Sequence, residues 1–264
     1  MRHNYKELFL DTFMDIKDNP IILLPDLLLV ISTLILTSVF LYVNGMLQGY
    51  SLNPDYIKDY IRTLIGSAPK LIRLVISFMI VLIINVAIGV SLSVQKYSMM
   101  KSISERREIN LVESFREGKG YILDVIGIKM LLGLMHIVPL AAVIFLGLND
   151  ILLIIGIGIV LAIFVLLRVA FFFVYPTLML DTKGKILRTI RECYFYFRAN
   201  KKHSVICALI VFLTVFVASF MLKKLGVLIS VINISAISSI YALLSTFILV
   251  LFGVWGLLFS FKSY

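Results

Sequence analysis

The sequence is poor in charge. Asp, Glu, Lys and Arg make up 15% of its 264 residues, against 61% hydrophobic residues. A soluble domain of this size cannot bury so much apolar side chain, which excludes a soluble enzyme or binding module. Cysteine is scarce: Cys193 falls in a segment predicted to face the cytoplasm and Cys207 just inside a membrane helix, which argues against a disulfide framework. Of the three histidines, His136 lacks a metal partner at useful spacing, and His3 and His203 fall at the membrane edges. There is no HExxH, CxxC, GxSxG, Walker loop, paired-carboxylate site or oriented Cys–His pair, so the sequence argues against an enzyme, and no cofactor or metal is expected. The first twenty residues, MRHNYKELFLDTFMDIKDNP, hold neither an early apolar core nor a small-residue cleavage site, so no cleavable signal is expected. The net charge is +10. Without an RNA-binding signature, zinc spacing or Gly-rich phosphate loop, that charge does not point to nucleic acid.

What is present is length in apolar runs. The mean hydropathy is +1.03, and several runs reach the roughly 20 residues that a hydrocarbon core of about 30 Å requires. The sequence predicts one all-α, multi-pass membrane domain over 1–264, with spans near 21–43, 71–94, 121–146, 151–180, 204–222 and 238–261. The fourth run exceeds what the hydrocarbon needs, which predicts tilt or a kink at Pro176. Residues 225–237, apolar but short, read as an interfacial or re-entrant piece.

Between the spans lie short amphipathic segments. In 4–18, Tyr5, Leu8, Phe9, Phe13 and Ile16 recur at helical spacing, and Asn19-Pro20 ends the pattern. Ile109 to Arg116 repeats this ahead of a GKG break, and 185–202 repeats it again. Pro54 to Ile65 reads as a surface helix in the first outside loop. Phe13, Phe115 and Phe197 each close an amphipathic segment before an odd-numbered span. This suggests three units of surface helix, helix in and helix out, although the shared physics of entering a bilayer gives the same pattern.

Orientation follows from the cations. Seventeen of the 25 Lys and Arg fall in segments that six spans place with the N-terminus, and five on the opposite side. The positive-inside tendency therefore predicts a cell-membrane protein with both termini cytoplasmic.

Two groups of residues stand out. Ionisable side chains inside spans are costly and tend to be functional. Asp26, Lys129 and Arg168 fall at similar depth, and Asp124 and His136 could join them to line a cavity. Ion pairs that fix helix packing are the plainer and preferred reading. The second group is the basic amphipathic helix at 185–202. There Ile186, Leu187, Ile190, Tyr194 and Phe197 make an apolar face bordered by Lys185, Arg188, Arg191, Arg198 and Lys202. Such a helix suits an anionic leaflet, as a headgroup-binding element or as a topological anchor.

The same stretch carries a resemblance. Arg168, an aromatic run to Tyr175-Pro176, Asp181, Gly184, a helix with Cys193 where Ser is common, and the basic turn Asn200-Lys201 together resemble the glycerophosphoryl diester phosphodiesterase membrane domain and related six-helix membrane families. The resemblance implies six spans with cytoplasmic amphipathic helices. It implies no hydrolase activity, because the soluble catalytic domain behind that label is missing from this sequence. The function expected is a non-enzymatic multi-pass protein that organises lipid or partner proteins, or a second copy of itself. A small transporter or channel using the intramembrane cluster, and a lipid-modifying enzyme, are the alternatives.

Overall fold

The structure, a computed structural model, describes residues 4–46, 67–145, 150–182, 185–232 and 235–264. Among these the regular elements are all helical. The segment 54–65 lies outside the described residues. The chain divides into two compact units, the hairpin Pro25–Ser93 and the remainder.

Helix α1 covers Tyr5–Asp18. Asn19 stops it, and Pro20–Leu23 forms a 3₁₀ turn that leads into α2, Leu24–Val43. Proline fits there because the first turn of a helix leaves its N–H groups unpaired anyway. Gly45, at a φ of 71°, closes α2: its N–H reaches Tyr42 and that of Met46 reaches Leu41. This is a Schellman closure, which needs a left-handed residue at that place.

Helix α3 runs over Ala68–Ser104, ten residues beyond the predicted end at Val94. Nothing in 95–104 breaks a helix, and Val94, Tyr97, Ser98, Met99 and Met100 are buried. Lys96 and Lys101, which fall beyond the predicted span, are therefore half-buried residues of a helix that continues. A second Schellman closure ends it, with Arg106 (φ 56°) in the place glycine usually takes.

Within the hairpin unit, polar contacts join the two helices. Thr33 donates to Asn85 Oδ1 at 3.0 Å, Asn44 donates to Ser77 Oγ at 2.9 Å, and Gly89 lets Leu29 approach. At membrane depth, such bonds and small residues are the ordinary means of holding helices together.

In the larger unit, α4 covers Leu111–Lys119, α5 Ile122–Phe145 and α6 Asp150–Ala170. The predicted kink falls ahead of Pro176. Regular helix stops at Ala170, the chain turns through Phe171–Phe173, and Val174–Pro176 leads into a π-helical stretch, Thr177–Thr182. The cause is local: Pro176 has no N–H to give the carbonyl of Phe172, and its ring would strike that carbonyl in an unbroken helix.

Helix α7 covers Ile186–Ala199, α8 Lys201–Ile232 and α9 Ser235–Ser263. The piece read as re-entrant is not separate: 225–232 continues α8. A tight contact explains why. Gly226 leaves room for the Tyr241 ring, whose hydroxyl donates to the Leu222 carbonyl. Gly256, facing Val211, brings the same two helices close farther along.

Among the described residues, five stretches are long and apolar enough to cross a membrane: Pro20–Val43, Ala68–Ser104, Ile155–Thr182, Lys201–Ile229 and Ile237–Ser263. The expected third span, 121–146, coincides with α5, a helix that is not among the five.

Candidate membrane-interface surface

The three short helices share one packing pattern. Each buries two residues four apart, the first with a hydroxyl: Thr12 and Ile16 on α1, Ser114 and Gly118 on α4, Thr189 and Cys193 on α7. Residues i and i+4 lie one above the other on a helix, so each pair is a single contact line. An acid stands three places after each hydroxyl: Asp15, Glu117 and Glu192. This register sets Phe13 beside Phe115 but places Ile190, not Phe197, third.

Helix α1 lies against α9. Lys262 donates to Asp15 at 2.6 Å, Trp255 Nε1 donates to the Phe9 carbonyl at 3.4 Å, and the Phe9 and Phe13 rings pack on the fully buried Trp255. At the start of α1, the Tyr5 hydroxyl meets His203 Nδ1 at 3.0 Å, while His203 Nε2 meets the Ser263 carbonyl at 2.9 Å. A carbonyl only accepts, so Nε2 bears a proton, and in the neutral ring Nδ1 then accepts from the Tyr5 hydroxyl.

Helix α4 lies against the end of α3. Asn110 caps it, accepting from the Val112 and Glu113 amides. Glu117 accepts from both Lys101 and Ser98, and Gln95 donates to the Leu111 carbonyl. Gly118 packs on the backbone of Val94, where a Cβ would sit 3.0 Å from the carbonyl oxygen. Burial alone would raise the Glu117 pKa, but the bonds from Lys101 and Ser98, with the Lys101 and Arg107 charges, outweigh it and hold the carboxyl below its ordinary value.

Helix α7 lies against the π-helical stretch. Thr182 and Thr189 share a buried hydroxyl contact at 2.6 Å, and Ile186 packs into the space Gly127 leaves on α5. The Cys193 thiol is 3.6 Å from the Ala170 carbonyl, and burial pushes its pKa up to about 12, so it stays protonated. The Tyr264 hydroxyl donates to Asp181, and its ring meets Phe173 and Tyr196. Burial, followed by that bond, raises the Tyr264 pKa.

Because small residues face inward, large apolar ones face out. Val112 is 78% exposed and Leu187 81%, and Leu10, Met14, Phe115, Tyr194 and Phe195 are also exposed. The apolar face expected on α7 is thus divided. Ile186, Ile190 and Phe197 border the buried Thr189–Cys193 line, while Leu187 and Tyr194 point outward. The sequence-predicted cations Lys185, Arg188, Arg191, Arg198 and Lys202 are all exposed, with Arg191 lying over the Phe195 ring at 5.4 Å.

The intramembrane residues fall on other helices. Asp26 is in the first turn of α2, in the hairpin unit. Asp124 is half-buried in the first turn of α5, and Lys129 is exposed on the same helix. Arg168 is exposed at the end of α6, with its guanidinium 5.3 Å from the Phe164 ring centre. His136 lies on α5, and its side chain is outside the described residues. Two recesses in the larger unit are lined by other side chains, one beside α4 around Asn110 and Arg116, the other between α8 and α9. Among the described residues, no three His, Cys, Asp or Glu side chains come together as metal ligands.

Sequence reasoning overlooked Thr12, Ser114 and Thr189 and the acids that follow them. The signal was a hydroxyl, two residues and an acid, repeated at 12–15, 114–117 and 189–192. It is too short to stand out before the buried contacts are seen. Comparison with protein-family models, curated proteins and solved structures returns no match.

Proposed function

We propose that this is a non-enzymatic, six-span membrane protein whose short helices lie in the cytoplasmic interface of the cell membrane, where α7 binds anionic lipid headgroups. The observation that carries the reading is the outward side of α7. Leu187, Tyr194 and Phe195 stand exposed among Arg188, Arg191 and Arg198. Water penalises the first three, whereas a leaflet surface accepts both sets: apolar side chains enter below the headgroups and cations meet phosphates. Each cation near an anionic surface contributes on the order of 1 kcal/mol. The six-span plan counts α5 as a span, keeps Lys- and Arg-rich segments on one side, and agrees with the resemblance carried by Arg168, Pro176 and Asp181. Organisation of lipid around the protein, rather than chemistry on it, is the role this surface fits.

Hydrogen exchange of the full chain in nanodiscs tests the headgroup reading. In phosphatidylglycerol, amides of 186–199 should exchange more slowly than in phosphatidylcholine. Replacing Arg188, Arg191 and Arg198 by Gln should remove the difference. Equal exchange in the two lipids defeats the proposal.

A further inference from the structure

We propose a second lipid site, for the acyl chain and phosphate of one anionic phospholipid, at the far end of α8 from Lys201. The site is the groove of about 520 Å³ between α8 and α9, a volume within the usual range of ligand pockets, about 300–1,000 Å³. One wall is Leu213, Val217 and Met221, all more than half exposed, and the other is Ile248 and Phe252. From Leu213 to Leu222 the groove follows nine residues of helix, about 14 Å, close to half of an about 30 Å hydrocarbon core. It therefore has the depth of a single leaflet.

A ridge borders the groove on α8. Phe212, Phe216 and Phe220 stack at successive 5.9 and 6.4 Å spacings, and all are exposed. The next residue in this i, i+4 row is Lys224, whose Nζ lies 5.6 Å from the Phe220 ring centre. Lys224 also falls on the groove side of the helix, three turns after Leu213, because eleven residues nearly complete three turns. Lys201 and Lys224 are about 35 Å apart along the helix, so a span that begins near Lys201 places Lys224 at the opposite headgroup level. An apolar channel one leaflet deep with a cation at its polar end complements a phospholipid: the tail lies along the phenylalanine ridge and the phosphate meets Lys224. Met221, flexible and unbranched, adapts the wall to the chain.

This site stands apart from the α7 surface, which lies at the other end of α8, and it requires a tail where α7 requires only a charged surface. The test is native mass spectrometry of the full chain released from nanodiscs of equal phosphatidylglycerol and phosphatidylcholine. The wild type should retain phosphatidylglycerol preferentially. Lys224→Gln should lower that preference about fivefold, the effect of one interfacial cation, and should do so equally when Arg188, Arg191 and Arg198 are already Gln. Ala218→Phe, which fills the groove, should lower retention of both lipids. Met221→Trp gives the same reading if Ala218→Phe does not fold. An unchanged preference in Lys224→Gln, or full retention with the groove filled, overturns the proposal.

Discussion

The residues that hold the short helices in place are small or hydroxylated, and their contacts predict specific costs. Gly118 is the sharpest case. A methyl group there meets the Val94 carbonyl, which belongs to a helix backbone and cannot swing aside. Gly118→Ala should therefore destabilise the protein by about 1–3 kcal/mol, read as a lowered thermal midpoint in detergent, whereas a helix-propensity argument alone expects a gain. Glu117 makes stability depend on pH. Its pKa is depressed in the folded protein, so its contribution is complete above the unfolded value near 4.5. The contribution declines as the pH falls from there toward the folded value and is gone below it. Acid titration of α4 hydrogen exchange should show loosening over that window, and Glu117→Gln should flatten it. An unaltered titration in Glu117→Gln places the acid sensitivity in another group. Thr189→Val keeps the shape of the side chain but leaves Thr182 without its partner across the contact. It should cost about 1 kcal/mol by the same thermal measurement.

At the scale of elements, each short helix packs one side on protein and leaves large apolar side chains exposed on another, and this governs how its sequence reads. Hydrophobic periodicity located α1, α4 and α7 to within a few residues, because alternation of polar and apolar side chains at helical spacing is a local property. It could not say which apolar side chains are buried against protein and which stay exposed. Leu187 and Cys193 are both apolar in pattern, yet one is exposed and the other buried, because close helix approach favours the smaller side chain. Helix α1 supplies the test of docking. Trp255 fills the space between Phe9 and Phe13, so Trp255→Ala should cost about 3–5 kcal/mol and expose 5–18 to limited proteolysis. Protection equal to the wild type shows that the Asp15–Lys262 and Tyr5–His203 bonds hold α1 without the ring. The broken end of α6 was legible only in part. Pro176 announced a disruption, but the turn sits at Phe171–Phe173 and the repair takes π-helical form. There Thr177, Thr182 and Thr189 form a bonded set, a pattern set by partners on another helix.

For the whole molecule, six spans predict that reporters fused to the two termini lie on the same side of the membrane and that both report the cytoplasm. Opposite sides would mean that α5 does not cross. Composition alone decided that this chain belongs in a membrane: so many apolar residues with so little charge have no soluble solution. Run lengths also located the long helices, since a bilayer imposes length on any helix that crosses it. Three features needed the tertiary structure: the continuation of α3 past Val94, the union of 225–232 with α8, and the inward turn of Thr12, Ser114 and Thr189. Each depends on a partner distant in the chain: α4 on the end of α3, Tyr241 in the space beside Gly226, α9 and the π-helical stretch beneath the hydroxyls. The bilayer acts on average hydropathy over a run of residues, which a sequence displays directly. Close packing acts on single side chains and on the gaps that glycine, serine and threonine leave for others, and those gaps exist only once the helices have met.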